Sequence, residues 1–176
     1  GFYGEISFDD GNLTVEDKLP HIEEFLKLRG KDEINHLKEG NMILSHSRLH
    51  LSGKSSEGIQ PMRSSDGRYL LLYNGEIYHF GRFHTGLNLD KCDTDILLGL
   101  IEANGLEETL SHLNGMYSIA LIDTQENKAH LVVDKFGQKP LYYKFGDKSL
   151  QFSSISKLLK KSSDFKDLNF DGLKQY

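Results

Sequence analysis

Asn74, Gly75 and Glu76 stand together directly after the apolar run Tyr69-Leu70-Leu71-Leu72-Tyr73. A side-chain amide, an unhindered backbone N–H and a carboxylate at one strand end could hold a developing oxyanion and the groups beside it. Asn-Gly is also a common hairpin turn, because both residues tolerate positive φ, and from these residues alone the turn is the favoured reading. Arg48 closes the run Met42-Ile43-Leu44-Ser45-His46-Ser47. A guanidinium there could take a carboxylate through two parallel hydrogen bonds, or simply face solvent. Asp93 could pair with an ammonium, cap a helix, or do both. Glu76 either accepts from an amide or points to water, and Asp123 and Asp134, each at the close of a strand, read as turn residues.

Other reactive side chains carry less. His46 and His50 flank Arg48 but lack a third ligand at a metal-like spacing, so no metal site is expected. Cys92 has no neighbouring cation or histidine to make it a thiolate and reads as an inert thiol.

The elements that must position these residues follow from periodicity. Alternation and aromatic content predict a strand over residues 1–8, and helical spacing of Ile22, Phe25, Leu26 and Leu28 after Pro20 predicts a helix with Gly30 as its stop. Residues 42–48 and 69–73 read as strands, and 52–66 as a Ser- and Gly-rich loop. A helix is expected over 93–104, with Ile96, Leu97, Leu100 and Ile101 on its apolar face and Asp93 at its N-cap, and a shorter helix over 106–113. Strands at 116–123, 129–133, 141–145 and 150–153 complete a layered α+β domain with largely antiparallel sheets.

Composition restricts the function further. The chain has 176 residues, 38% of them apolar and 27% charged, which suits one globular domain with a sizeable core. Net charge of −5 and no basic block beyond Lys160-Lys161 give no footprint for nucleic acid or an anionic membrane, so a small molecule is the expected partner. No apolar stretch approaches the roughly 20 residues needed to span a bilayer. A single cysteine fits a reducing compartment, and the expected location is the cytoplasm.

Set in order, these segments resemble the N-terminal glutaminase domain of glutamine-dependent asparagine synthetases, a class II glutamine amidotransferase. Gly1-Phe2-Tyr3-Gly4 is similar to the family's opening Cys-Gly-x-x-Gly without its Cys, and Arg29-Gly30-Lys31-Asp32 to its Arg-Gly-Pro-Asp. His46-Ser47-Arg48-Leu49 and Gln60-Pro61-Met62 resemble its His-x-Arg-Leu and Gln-Pro-Met, and Tyr73-Asn74-Gly75-Glu76-Ile77-Tyr78 matches its signature in full. Cys92-Asp93-Thr94-Asp95 is similar to its Ser-Asp-Thr-Glu, and 113–123 and 134–143 match closely. Families with a Thr-Arg-Trp-Ala-Thr-type strand are less similar, since this chain has no Trp.

The resemblance implies a four-layer αββα sandwich of two largely antiparallel sheets, the N-terminal-nucleophile hydrolase fold, over residues 1–160. Residues 161–176 would begin a linker toward a separate ATP-dependent synthetase domain. It implies hydrolysis of glutamine to glutamate and ammonia through a cysteinyl thioester, with Asn74 and the Gly75 amide as oxyanion hole. Arg48 would bind the glutamine carboxylate, Asp93 with Gly75 and Glu76 its ammonium and amide ends, and Leu49, His50, Leu51 and Ser52 would line the pocket. No cofactor is implied for this domain; ATP and Mg²⁺ belong to the synthetase domain, and the full-length enzyme is expected to be a homodimer. Gly1 stands where the family has the residue after its catalytic Cys, so the nucleophile is expected immediately before Gly1. The alternative is a domain retired to a structural role, as in the β-lactam-forming synthetases; the presence of Arg48, Asn74, Gly75, Glu76 and Asp93 favours a working glutaminase.

Overall fold

The computed structural model describes residues 1–9, 17–48, 58–83 and 91–159. In chain order the elements are β1 (Phe2–Ser7), α1 (Leu19–Lys27), β2 (Glu33–Glu39), β3 (Met42–Arg48), β4 (Met62–Arg63), β5 (Tyr69–His79), α2 (Asp93–Asn104), α3 (Leu106–His112), β6 (Asn114–Asp123), β7 (Lys128–Val133), β8 (Tyr142–Phe145) and β9 (Ser149–Ser153). The strands make one sheet of order β2-β3-β1-β9-β8 and another of order β4-β5-β6-β7. Every pairing is antiparallel.

Three apolar clusters define four layers. Tyr3 and Ile43 on the outer face of the five-stranded sheet pack against Ile22 and Leu26 of α1. Phe2, Leu44, Leu150 and Phe152 on its inner face meet Leu70, Leu72, Ala120 and Ile122 of the other sheet. Leu71, Tyr73, Ile119 and Leu121 on the far side of that second sheet are covered by Leu97, Leu98 and Ile101 of α2. Both faces of β5 are therefore buried, which explains why its sequence is a continuous apolar run rather than an alternating one. The architecture is the αββα sandwich that the sequence led us to expect.

Three local expectations change. Asn74-Gly75 is not a turn: β5 runs through it to His79, with Asn74 and Gly75 paired to Ser118 and Tyr117 of β6 and the register shifting only between Ile77 and His79, and Gly75 does not take positive φ. Gly75 is there for space, since a Cβ on it would lie 2.2 Å from the Met116 carbonyl oxygen of β6. Gly30 does not cap α1, which ends at Lys27; a Cβ on it would lie 2.5 Å from the carbonyl carbon of Arg48. β2 was not anticipated, because Glu33–Glu39 is a half-exposed edge strand whose polar side chains mask its period. The linker expected at 161–176 lies outside the described residues.

Candidate functional site

Opposite sheets contribute the two halves of the site. Because side chains alternate along a strand, His46 and Arg48 share the face of Leu44 on β3, and Asn74 shares that of Leu70 and Leu72 on β5; all point into the space between the sheets. Where the apolar filling ends, the polar residues begin. Asn74 Nδ2 is buried and has no hydrogen-bond partner among the described residues. Such an orphan donor costs on the order of 1–3 kcal/mol unless something else satisfies it.

The Gly75 N–H joins it by the logic of the ladder. Tyr73 donates its N–H to Gln60 Oε1 at 2.6 Å, on the edge of β5 away from β6. Asn74, opposite Ser118, turns its backbone toward β6, so alternation brings the Gly75 N–H back to the Gln60 edge. Tyr117, opposite Gly75, correspondingly engages Asp134: its N–H donates to Asp134 Oδ2 (3.1 Å) and its carbonyl accepts from the Asp134 N–H (2.9 Å). Two donors on adjacent residues, one aimed between the sheets and one at the open edge of β5, thus stand side by side.

Arg48 and Cys92, the residue before Asp93, come together around Gly58. A Cβ placed on Gly58, which adopts φ +70°, would be 3.7 Å from Arg48 Nη2 and 3.0 Å from Cys92 Sγ, so the guanidinium and the start of α2 meet there. Asp93 is the first helical residue and not the N-cap, a place Cys92 occupies without a side-chain cap. Its carboxylate is oriented elsewhere, accepting the Tyr73 hydroxyl at Oδ2 (2.7 Å). Burial and then the Asp93 charge push the Tyr73 hydroxyl far above its usual pKa, so it remains a donor. Gln60 Nε2 donates to Thr94 Oγ1 at 3.4 Å, tying the same helix end to β5. Glu76 lies on β5 with its side chain exposed. Leu49, His50, Leu51 and Ser52 lie outside the described residues.

Cys92 is no nucleophile. Its thiol donates to Asp95 Oδ2 at 2.7 Å, and burial together with that bond pushes it up to about 11. Among the described residues no cluster of three His, Cys, Asp or Glu side chains could hold a metal ion. The start of β1 is more distinctive. Gly1 N donates to the Ser47 carbonyl at 2.9 Å, and Phe2 N–H to Ser154 Oγ at 2.9 Å. As a free amine Gly1 is lowered to about 5, by burial first and then by Arg29 and Lys139. Burial first, and the neighbouring Arg48 as well, hold the His46 imidazole well below its usual range.

The family model for a glutamine amidotransferase domain matches residues 1–176. The chain belongs to that family. This amidotransferase domain is 31% identical over 159 residues to a Methanocaldococcus jannaschii protein provisionally named asparagine synthetase (glutamine-hydrolyzing) 1, covering 86% of this chain and 27% of that protein. It is 30% identical to the asparagine synthetase (glutamine-hydrolyzing) of Asparagus officinalis, over 89% of this chain and 27% of the relative. The corresponding figures for asparagine synthetase (glutamine-hydrolyzing) 2 of Bacillus subtilis are 30%, 80% and 19%. The chain thus spans between 19% and 27% of the length of these relatives. Among solved structures it resembles the glutamine phosphoribosylpyrophosphate amidotransferase of B. subtilis, with TM-score 0.55 and 18% identity over 90% of this chain and 36% of that one, a likeness of fold.

Two residues of this amidotransferase domain escaped the sequence reading. Tyr73 looked like the last apolar residue of a strand, and nothing in its type announced a hydroxyl reaching Asp93. Gln60 was noticed as part of a motif, but only the fold brings its amide between Tyr73 and Thr94.

Proposed function

We propose that this domain hydrolyses glutamine to glutamate and ammonia for an asparagine-synthetase-type amidation carried out by a further, ATP- and Mg²⁺-dependent domain of the same protein. The observation that carries the reading is the buried, unpartnered Nδ2 of Asn74 beside the outward-facing Gly75 N–H. Two fixed donors in a water-poor space are what a tetrahedral oxyanion requires. Arg48 takes the glutamine α-carboxylate, Asp93 the α-ammonium, and Glu76 with Gly75 the region of the amide; Leu49, His50, Leu51 and Ser52 line the pocket.

The nucleophile is a cysteine immediately before Gly1. The β1–β3 register pairs Phe2 with His46, and Gly1 bonds to Ser47, so the next residue toward the N-terminus would lie opposite Arg48. Its side chain would share the face of Phe2 and point between the sheets, toward Asn74. Its thiolate adds to the amide carbon, and the oxyanion is held by Asn74 and Gly75. Collapse expels ammonia with a proton from the general base, and water then hydrolyses the thioester. Cytoplasmic location and a homodimeric full-length enzyme complete the proposal.

The test is ammonia release from glutamine by the full-length protein. Release that disappears when the cysteine before Gly1 is changed to alanine supports the reading; a native protein that begins at Gly1, or one that releases no ammonia, refutes it.

A further inference from the structure

Tyr73, Gln60 and Thr94 close a hydrogen-bonded circuit between β5 and the start of α2. Tyr73 is 3% exposed, and Gln60 and Thr94 are each 4% exposed. The Tyr73 N–H donates to Gln60 Oε1 at 2.6 Å, and Gln60 Nε2 donates to Thr94 Oγ1 at 3.4 Å. The Tyr73 hydroxyl donates to Asp93 Oδ2 at 2.7 Å. Thr94 follows Asp93 in the first turn of α2, so the circuit closes through one peptide bond. The phenol itself shares an apolar cluster with Leu97 and Ile101 of the same helix. Tyr73 is thus held at its backbone, its ring and its hydroxyl.

A carboxylate at the first helical position is ordinarily drawn to the open N–H groups and the positive end of its own helix. Tyr73 instead draws one oxygen of Asp93 toward β5. A carboxylate has two oxygens that accept, so occupation of Oδ2 leaves Oδ1 for a cation. Tyrosine suits this task because it donates a hydrogen bond without bringing a charge, whereas Lys or Arg in its place would neutralise Asp93. Asp93 is half-buried, so a ligand can reach it. Arg48 Nη2 and Cys92 Sγ border Gly58 together, so a cation for an α-carboxylate stands near the helix start that carries Asp93.

Resting on the glutaminase reading above, we propose that Tyr73 is a positioning residue that sets specificity for an α-amino acid: its hydroxyl holds Asp93 Oδ2 and turns Oδ1 toward the α-ammonium of the ligand. The Gln60–Thr94 bridge keeps strand and helix at the spacing this requires.

Tyr73→Phe removes the hydroxyl and keeps the ring. In the full-length protein it is expected to raise KM for glutamine about tenfold, the lower end of the range for a hydrogen bond to a charged group. It should leave kcat within about twofold. A general disturbance of β5 would instead reach Asn74, the next residue, and lower kcat. In an Asp93→Ala background the same change is expected to alter kcat/KM less than about twofold, because side chains that act through each other are not additive. A fall in kcat, an unchanged KM, or losses that multiply in the double variant overturn the proposal. Independently of turnover, calorimetric titration of glutamate into the full-length protein is expected to give a Kd about tenfold weaker in Tyr73→Phe than in wild type. Equal glutamate affinity in the two proteins, or none in wild type, overturns it. If wild-type protein binds glutamate with that difference but releases no ammonia from glutamine, the glutaminase reading falls and the assignment of Tyr73 to an amino-acid site stands.

Discussion

Buried polar groups around the β5–β6 ladder are treated in opposite ways on its two sides. Asp123, at the end of β6, and Asp134, bound to Tyr117 on the β7 side, are each 3% exposed and saturated. Arg68 donates to Asp123 from Nε (2.9 Å) and Nη2 (2.5 Å), and the N–H groups of Gln125 and Glu126 reach its other oxygen at 3.0 Å. Asp134, after β7, accepts N–H bonds from Tyr117, Phe136, Gln138 and Lys139. By contrast, Asn74 Nδ2 and His46 Nδ1 are buried and have no partner among the described residues. Saturated buried groups hold a fold together; unsaturated ones cost stability and are kept where another molecule is to complete them. The difference marks the proposed site without any appeal to motif.

Mutation should divide these regions cleanly. The largest effect belongs to Asn74→Ala, expected to lower glutaminase turnover about 10²–10³-fold, equivalent to roughly 2.7–4 kcal/mol for one oxyanion donor. Its melting temperature should hardly move, because the amide removed has no partner to lose; near-normal steady-state turnover would break the comparison. Arg48→Ala comes next. Loss of a charge-assisted pair worth about 1.5–3 kcal/mol should raise KM for glutamine roughly tenfold to a hundredfold with a smaller change in kcat, and unchanged glutamine affinity would remove Arg48 from the site. Asp134→Ala reverses the pattern: it should cost about 2 kcal/mol of unfolding free energy in urea titrations while leaving the KM of the folded fraction unchanged.

A pH series sharpens the same contrast. Arg68, with help from backbone N–H groups, lowers Asp123 to about 2; at Asp134 burial opposes, yet four N–H donors still bring it to about 2. Both values lie below the ordinary carboxylate near 3.9. Such groups stabilise the fold fully above about pH 4, and that stability is lost as the pH falls toward 2. In Asp134→Ala the acid limb of a stability-against-pH curve should flatten, whereas in Asn74→Ala it should overlay wild type.

Much of this was readable in the chain and some was not. Residues 42–48 and 93–104 were anticipated as the strand and helix observed, because long apolar periods leave few alternatives. Asp123 and Asp134 were read as turn residues, and both accept backbone N–H groups just after a strand. Asn74-Gly75 misled because sequence shows that a glycine is needed but not why. Positive φ and close approach of a neighbouring strand demand the same residue, and only the β6 backbone 2.2 Å from a would-be Cβ tells them apart. The Asp93 cap failed for a related reason: an aspartate at a helix start has several possible donors, and a tyrosine 20 residues away outcompeted the local one.

Tyr73 gives its hydroxyl to Asp93, at what would be the amino-acid end of a bound glutamine, and its backbone N–H to Gln60, beside the proposed oxyanion donors. On the proposed reading, the two ends of the pocket would share this one residue, and any coupling through it would be reciprocal: a ligand on the Asp93 carboxylate would steady the hydrolytic end, and a transition state held at Asn74 and Gly75 would tighten the grip on the ammonium.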